Sequence, residues 1–312
     1  MKTYYALDEV PADFGPSAVT IGKFDGVHAG HRAVIDELLS AARARDLESV
    51  IITFDRHPLA QLDPAARPDE LVSNAQRLDL LAGTGVDATL FIRFDGALAS
   101  MTPREFAEKI LRDVCHTSVV MVGQDFRFGS QGAGDIETLR ELGREFGFDV
   151  DLIPEVQPEG DRKVSSTWIR ELLAEGDVTR AGELLGRTPA VRGVVVHGAA
   201  RGRELGFPTA NLSPESEGLI PADGVYAGWL TDGDERYPAA ISVGSNPTFD
   251  GVPPKQVEAY VLDRTLDLYD HLVEISFVAR IRGQVKYTGI DPLIEQMNID
   301  VDGVRAILHD AS

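Results

Sequence analysis

The hydrophobic period of this 312-residue chain changes near residue 186, and one layer architecture cannot satisfy both periods. Before that point short apolar runs alternate with amphipathic stretches. Strands are expected at residues 18–24, 49–54, 88–94, 118–123 and 150–153, with helices at 31–45, 74–82, 103–114 and 136–146. Thr102 and Glu105 stand at capping-box spacing around Pro103, which marks where the third helix opens. Strand–helix alternation of this length predicts an α/β domain with a parallel sheet covered on both faces. Such sheets hold ligands beyond the carboxyl ends of their strands. Two short helices follow at 166–173 and 178–185, and then strands alone: 191–197, 224–230, 237–243, 256–262 and 272–281. Asp232-Gly233 between two of them is a hairpin signal. With a closing helix at 292–308, this half reads as a small antiparallel β-barrel with a terminal helix. The expected domains are 1–186 and 187–312.

Thirty basic against 50 acidic side chains give a formal charge of −20. Such a surface repels polyanions, so nucleic acid is not an expected partner, although solubility alone accounts for part of the charge. A local nest of amides and arginines still holds a nucleotide phosphate inside an acidic protein. Cys115 is the only cysteine, which rules out an intrachain disulfide and a cysteine-based zinc site. No run approaches the roughly 18 apolar residues of a membrane span, and the first residues lack a signal-peptide pattern. The expectation is a cytoplasmic protein without membrane association, its oligomeric state left open.

Gly22-Lys23-Phe24-Asp25-Gly26-Val27-His28-Ala29-Gly30-His31 leaves the first expected strand and enters the first helix. The helix start aims free N–H groups and a positive dipole end at this loop, which favours phosphate. A helical turn brings His28 and His31 onto one face, where imidazoles donate hydrogen bonds to an α-phosphate as charge builds on it. Surface or capping histidines are the alternative, and a metal site lacks a Cys or Glu-x-x-His partner. Val164-Ser165-Ser166-Thr167-x-x-Arg170 sets hydroxyls at a helix start with an Arg one turn later, which suits a triphosphate; a plain N-cap is the simpler reading of either serine.

The second half carries Gly198-Ala199-Ala200-Arg201-Gly202-Arg203-Glu204-Leu205-Gly206-Phe207-Pro208-Thr209-Ala210-Asn211-Leu212, without the Lys-Ser/Thr ending of a P-loop. In an extended segment Thr209 and Asn211 point the same way, and their oxygens suit Mg²⁺ beside phosphate. Glu258 lies in Gln256-Val257-Glu258-Ala259-Tyr260-Val261-Leu262. If it faces the barrel interior, its carboxylate can take a proton from an attacking hydroxyl; a solvent-facing strand glutamate is the alternative.

The first loop resembles the His-x-Gly-His nucleotidylyltransferase superfamily, and in its fuller form the adenylyltransferase module of bacterial FAD synthetases. Thr53-Phe54-Asp55-Arg56-His57-Pro58 and Val122-Gly123-Gln124-Asp125-Phe126-Arg127-Phe128-Gly129 extend the resemblance. Family members often carry Pro at the place of Arg56 and some carry Asn at that of Asp125. The later segments, with Asn246-Pro247-Thr248-Phe249 and the 277–282 run before a helix holding Gln296, resemble riboflavin kinases. The two modules in this order match bacterial bifunctional FAD synthetases over almost the entire chain. The resemblance implies a Rossmann-like nucleotidylyltransferase domain and a kinase barrel, with riboflavin, FMN and ATP as small-molecule partners and Mg²⁺ as cofactor. It makes His28 and His31 catalytic, with Gly22, Phe24, Asp25, Gly26, Gly30, Ser165, Ser166, Thr167 and Arg170 at ATP. Asp125, Phe126 and Arg127 form the flavin and nucleotide loop. In the kinase it implies nucleotide contacts from Gly198, Gly202, Arg203, Gly206 and Pro208, Mg²⁺ at Thr209 and Asn211, and Glu258 as base. The rivals are an adenylyltransferase for a nicotinate or pantetheine substrate, and a flavin-binding sensor without turnover. An oxidoreductase is weaker, because no Gly-x-Gly-x-x-Gly follows the first strand.

Overall fold

The computed structural model describes residues 1–56, 68–154, 162–198, 206–245 and 255–310. Contacts divide the chain into two compact units: Met1–Asp69 with Asn74–Val164, and Glu70–Ser73 with Ser165–Ser312.

The first unit is a six-stranded, wholly parallel sheet of β1 (Lys2–Tyr4), β2 (Ser17–Ile21), β3 (Glu48–Phe54), β4 (Ala88–Ile92), β5 (Thr117–Gly123) and β6 (Asp149–Ile153). Its order is β1-β4-β3-β2-β5-β6. Strands β2 and β4 are buried at every residue, as a sheet covered on both faces requires. Neighbouring residues serve opposite cores: Val19, Val50, Ile52 and Val120 pack on one side, Ala18, Ile51, Val119 and Met121 on the other. Helix α1 (Ala29–Arg45) seals the second face with Ile35, Leu38 and Leu39, joined by Leu81 of α2 (Asn74–Ala82). The first face is covered beside the short α3 (Gly96–Ser100) by α4 (Pro103–Phe106, continuing as π-helical turns over Ala107–Val114) and α5 (Ile136–Phe146). The Thr102–Glu105 capping box forms in both directions. β1 and α3 are too short to carry a readable period, so neither was expected.

The second unit begins with α6 (Ser166–Glu175) and α7 (Val178–Leu185). A closed antiparallel barrel follows, formed by β7 (Ala190–Val196), β8 (Thr209–Leu212), β9 (Gly224–Asp232), β10 (Glu235–Ser245), β11 (Lys255–Val261) and β12 (Leu272–Arg282) in the order β10-β11-β8-β7-β12-β9. The β9–β10 turn is Gly233-Asp234, one residue beyond the expected pair, because Asp232 already pairs with Glu235. Leu230, Ile241, Val257, Ala259, Ile275 and Phe277 fill the interior. On the outside, α8 (Ile290–Asp310) lays Val301, Val304 and Leu308 against Trp229, Ala240, Tyr260 and Val278. Among the described residues no helix is long and apolar enough to cross a membrane.

Ile241 is fully buried at the barrel centre. Ile241→Ala should destabilise the second unit by about 2–5 kcal/mol through lost transfer energy and the cavity left behind. Urea titration followed by tryptophan fluorescence measures this, since both tryptophans, Trp168 and Trp229, belong to that unit.

Candidate active sites

Strand order in the first sheet reverses between neighbours β2 and β5, so the loops after them leave toward different faces and open a crevice. A cavity of about 390 Å³ lies there, lined by Gly22 and Lys23 from the β2 loop and by Asp125 to Gly129 from the β5 loop. Phe54, Phe94, Phe126 and Phe128 contribute aromatic walls. Phe126 and Phe128 lie parallel with ring centroids 5.6 Å apart. Asp125 is exposed and its carboxylate meets Lys163 Nζ at 3.1 Å; Arg127, also exposed, stands 3.7 Å from Asp135. Arg56 pairs with its neighbour Asp55 at 3.0 Å, and His57 and Pro58 lie outside the described residues.

The β2 loop turns sharply into α1. Phe24, Gly26 and Val27 all hold positive φ, at 51°, 81° and 40°. Asp25 is buried and pairs with Lys23 at 3.7 Å. His28 is the N-cap of α1, with its Nδ1 accepting from the His31 backbone N–H at 3.3 Å. A neutral His28 therefore carries its proton on Nε2. The two imidazoles stack with centroids 3.6 Å apart and planes 13° from parallel. The sequence placed both on one face as helical neighbours; the structure brings them together with one in the cap and one in the helix. A Cβ at Gly30 would stand 3.2 Å from the His28 ring, so the small residue leaves that ring its place. His31 Nδ1 is sealed from solvent and has no hydrogen-bond partner among the described residues. Burial, then the neighbouring His28, then Arg77 of α2 hold the His31 imidazole well below its ordinary value. Arg77 is fully buried and was missed in the sequence; one buried arginine in an amphipathic helix gives no local signal.

In the second unit Ser165 is the N-cap of α6, its hydroxyl accepting from the Trp168 N–H at 3.2 Å. Ser166 and Arg170 are half-buried on the same helix, and Thr167 is exposed. On the barrel, β8 and β11 pair with Asn211 opposite Glu258 and Thr209 opposite Tyr260. Thr209 Oγ1 donates to Glu258 Oε2 at 3.3 Å, and Asn211 Nδ2 donates to Thr209 Oγ1 at 3.2 Å. This corrects the inward orientation considered for Glu258. Its strand neighbours Val257 and Ala259 fill the barrel, whereas Tyr260 packs in the cluster under α8, so Glu258 stands on the outer wall. A Cβ at Gly198 would fall 2.5 Å from the Asn211 side chain, which leaves glycine as the residue that fits. A cavity of about 340 Å³ adjoins this cluster, lined by Pro208, Thr209, Arg264, Thr265 and Tyr269 among others. Gly206 is exposed, and Gly202 and Arg203 lie outside the described residues, as do Asn246 to Phe249. Arg282 of β12 forks onto Asp300 of α8, with Nη2 to Oδ2 at 2.6 Å, and Gln296 donates to the same carboxylate at 2.9 Å. The sequence singled out the arginine and the glutamine but not the buried Asp300 that joins them.

A cavity bordered by the loop that leads to the stacked imidazoles, on one unit, and a hydroxyl–amide–carboxylate cluster on the other fit the class of enzymes that transfer nucleotide phosphate groups. Known proteins narrow that class. Residues 10–168 match the FAD synthetase family and residues 185–308 the riboflavin kinase family. A bifunctional riboflavin kinase/FMN adenylyltransferase of Escherichia coli K12 is 36% identical over 283 residues, 90% of each chain. One from Listeria monocytogenes is 32% identical over 310 residues, 98% of each. A crystal structure of a macrolide-efflux protein from Streptococcus pneumoniae superposes with a TM-score of 0.88 at 32% identity, covering 98% of this chain and 99% of that one. The chain belongs to the bifunctional riboflavin kinase/FMN adenylyltransferase family.

His31 should titrate below the free imidazole value of about 6.5 in a histidine NMR titration. Its folded value lies under its unfolded one, so the neutral form stabilises the fold above about pH 6.5, and this contribution is lost as pH falls below that value. The slope of unfolding free energy against pH in this window should flatten in His31→Gln.

Proposed function

We propose that the chain makes FAD from riboflavin in two ATP-dependent steps, with riboflavin phosphorylated at the barrel cluster and FMN adenylylated at the parallel-sheet crevice. The proposed functional division is 1–186 and 187–312. At the barrel, the terminal hydroxyl of riboflavin attacks the γ-phosphorus of ATP and its proton passes to Glu258, giving FMN and ADP. The Thr209 hydroxyl, which accepts from the Asn211 amide N–H, and the Asn211 amide oxygen are the neutral oxygens that would hold Mg²⁺ beside phosphate. Mg²⁺ held by these two residues would supply neutralisation of phosphate charge. Gly198, Gly202, Arg203, Gly206 and Pro208 are proposed to cradle the nucleotide, and the 340 Å³ cavity beside Pro208 and Tyr269 suits a planar base.

At the crevice, an FMN phosphate oxygen attacks the α-phosphorus of ATP and pyrophosphate leaves. His28 donates through Nε2 to the charge growing on the α-phosphate, and His31 acts beside it as a neutral donor. Gly22, Phe24, Asp25, Gly26 and Gly30 shape the phosphate loop. The phenylalanine-walled 390 Å³ cavity beside Asp125, Phe126 and Arg127 suits the flavin ring. Neither step needs a protein nucleophile. A cytoplasmic location belongs to the same proposal. The observation that supports the reading is that the two imidazoles lie in ring contact and Thr209 lies within hydrogen-bond reach of Glu258.

The test follows products from riboflavin and MgATP by chromatography: FMN should appear first, then FAD. Glu258→Gln should cut FMN formation by about 10²- to 10⁴-fold while FAD still forms from supplied FMN. Replacing His28 and His31 together should do the reverse. Loss of both activities in either folded variant would contradict the two-site division. Gly198→Ala should displace Asn211 and raise the Mg²⁺ concentration needed for FMN formation, read from a metal titration of the rate.

A further inference from the structure

We infer that Arg77 is a positioning residue for adenylyl transfer, its guanidinium setting the loop that carries the histidine pair by holding two backbone carbonyls. The inference rests on the adenylyltransferase reading of the first unit. Arg77 lies on α2, is 1% exposed, and heads the fully buried side chains by size among the described residues. Nη1 donates to the Lys23 carbonyl at 2.8 Å and Nη2 to the Phe54 carbonyl at 2.9 Å. Nη2 also donates to Asn74 Oδ1, whose amide in turn donates to the Asp55 carbonyl at 2.8 Å. The guanidinium stands over the Phe91 ring at 5.3 Å. It thus spans the exits of two strands, β2 and β3, which a planar fork does and a single ammonium does not.

The Lys23 carbonyl takes a second donor, Thr53 Oγ1, at 3.0 Å. The residue after it is Phe24, at φ 51°, with Val27 at φ 40° three residues on. Bulky and β-branched residues hold such angles only where their surroundings over-determine them. The Phe24 ring then lies 5.0 Å from that of His31. A chain of contacts therefore runs from the guanidinium through the Lys23–Phe24 peptide to the stacked imidazoles. The same cation acts through space. The groups facing His31 are His28 in the cap of α1 and Arg77 from α2, both opposing its protonation, while Lys23 and Asp25 of the loop pair with each other. For merely filling space between α2 and the sheet, a methionine would serve.

The test uses full-length Arg77→Met and Arg77→Lys, measuring FAD formation from supplied FMN and MgATP across pH, with FMN formation from riboflavin as the fold control. Arg77→Met should lower kcat for FAD by about 100-fold, with KM for ATP and FMN within about threefold, as for a misplaced catalytic group. Its acid limb should move to higher pH, because His31 gains its proton more readily without the neighbouring cation. Arg77→Lys keeps the charge, so its limb should stay in place while kcat recovers only in part. FMN formation should be unchanged in both. Wild-type kcat in Arg77→Met, or a loss expressed in KM with an unmoved limb, would overturn the proposal. Should Arg77→Met fail to fold, Arg77→Lys decides: reduced kcat with an unmoved limb supports the inference, and wild-type kcat defeats it. Absence of FAD synthesis in the unaltered protein would instead defeat the adenylyltransferase reading itself.

Discussion

A parallel sheet binds at the place where its strand order reverses, and the first unit is organised around that constraint. Strands β2 and β5 are neighbours, but the chain reaches β5 only after building β3 and β4 on the far side. Their exit loops therefore diverge and leave a gap that no hydrogen-bond ladder closes. The phenylalanine walls, the histidine cap and the buried arginine all belong to segments that leave or brace this gap. The barrel solves placement differently. Closure removes free edges, so position follows from register and from the alternation of faces. Glu258 meets Thr209 because β11 and β8 pair at that offset and because both side chains stand on the outer wall.

Both centres are local exceptions in a strongly acidic chain. Over long range a charge of −20 disfavours a nucleotide, but screening confines that field to about 8–10 Å at physiological salt. Inside that distance the nearest groups decide. Beside the crevice, the loop that carries Lys23 leads into a 17-residue helix capped by His28. The barrel cluster offers a hydroxyl, an amide and a carboxylate, and no cation among the three.

What was legible in the residues follows the range of the interactions that carry it. The two periods, the capping box, the cap of α6 and the loop before α1 all rest on residues a few positions apart, and all appear where they were read. Arg77 was not legible, since its meaning lies in carbonyls 54 and 23 residues away. Asp300 escaped for the same reason, its partner Arg282 being 18 positions back on another element. β1, with three residues, is shorter than any window in which a period can be counted.

The sequence by itself determined the two architectures and their order along the chain. These depend on hydrophobic period and on motifs whose spacing is a property of the chain alone. Tertiary structure alone decided the face of the barrel on which Glu258 stands, because alternation is identical whichever set points inward and only closure with α8 outside selects one. It also decided that the His31 imidazole is held below its ordinary value, first by burial, then by His28 and by a guanidinium delivered by a helix 46 residues further on.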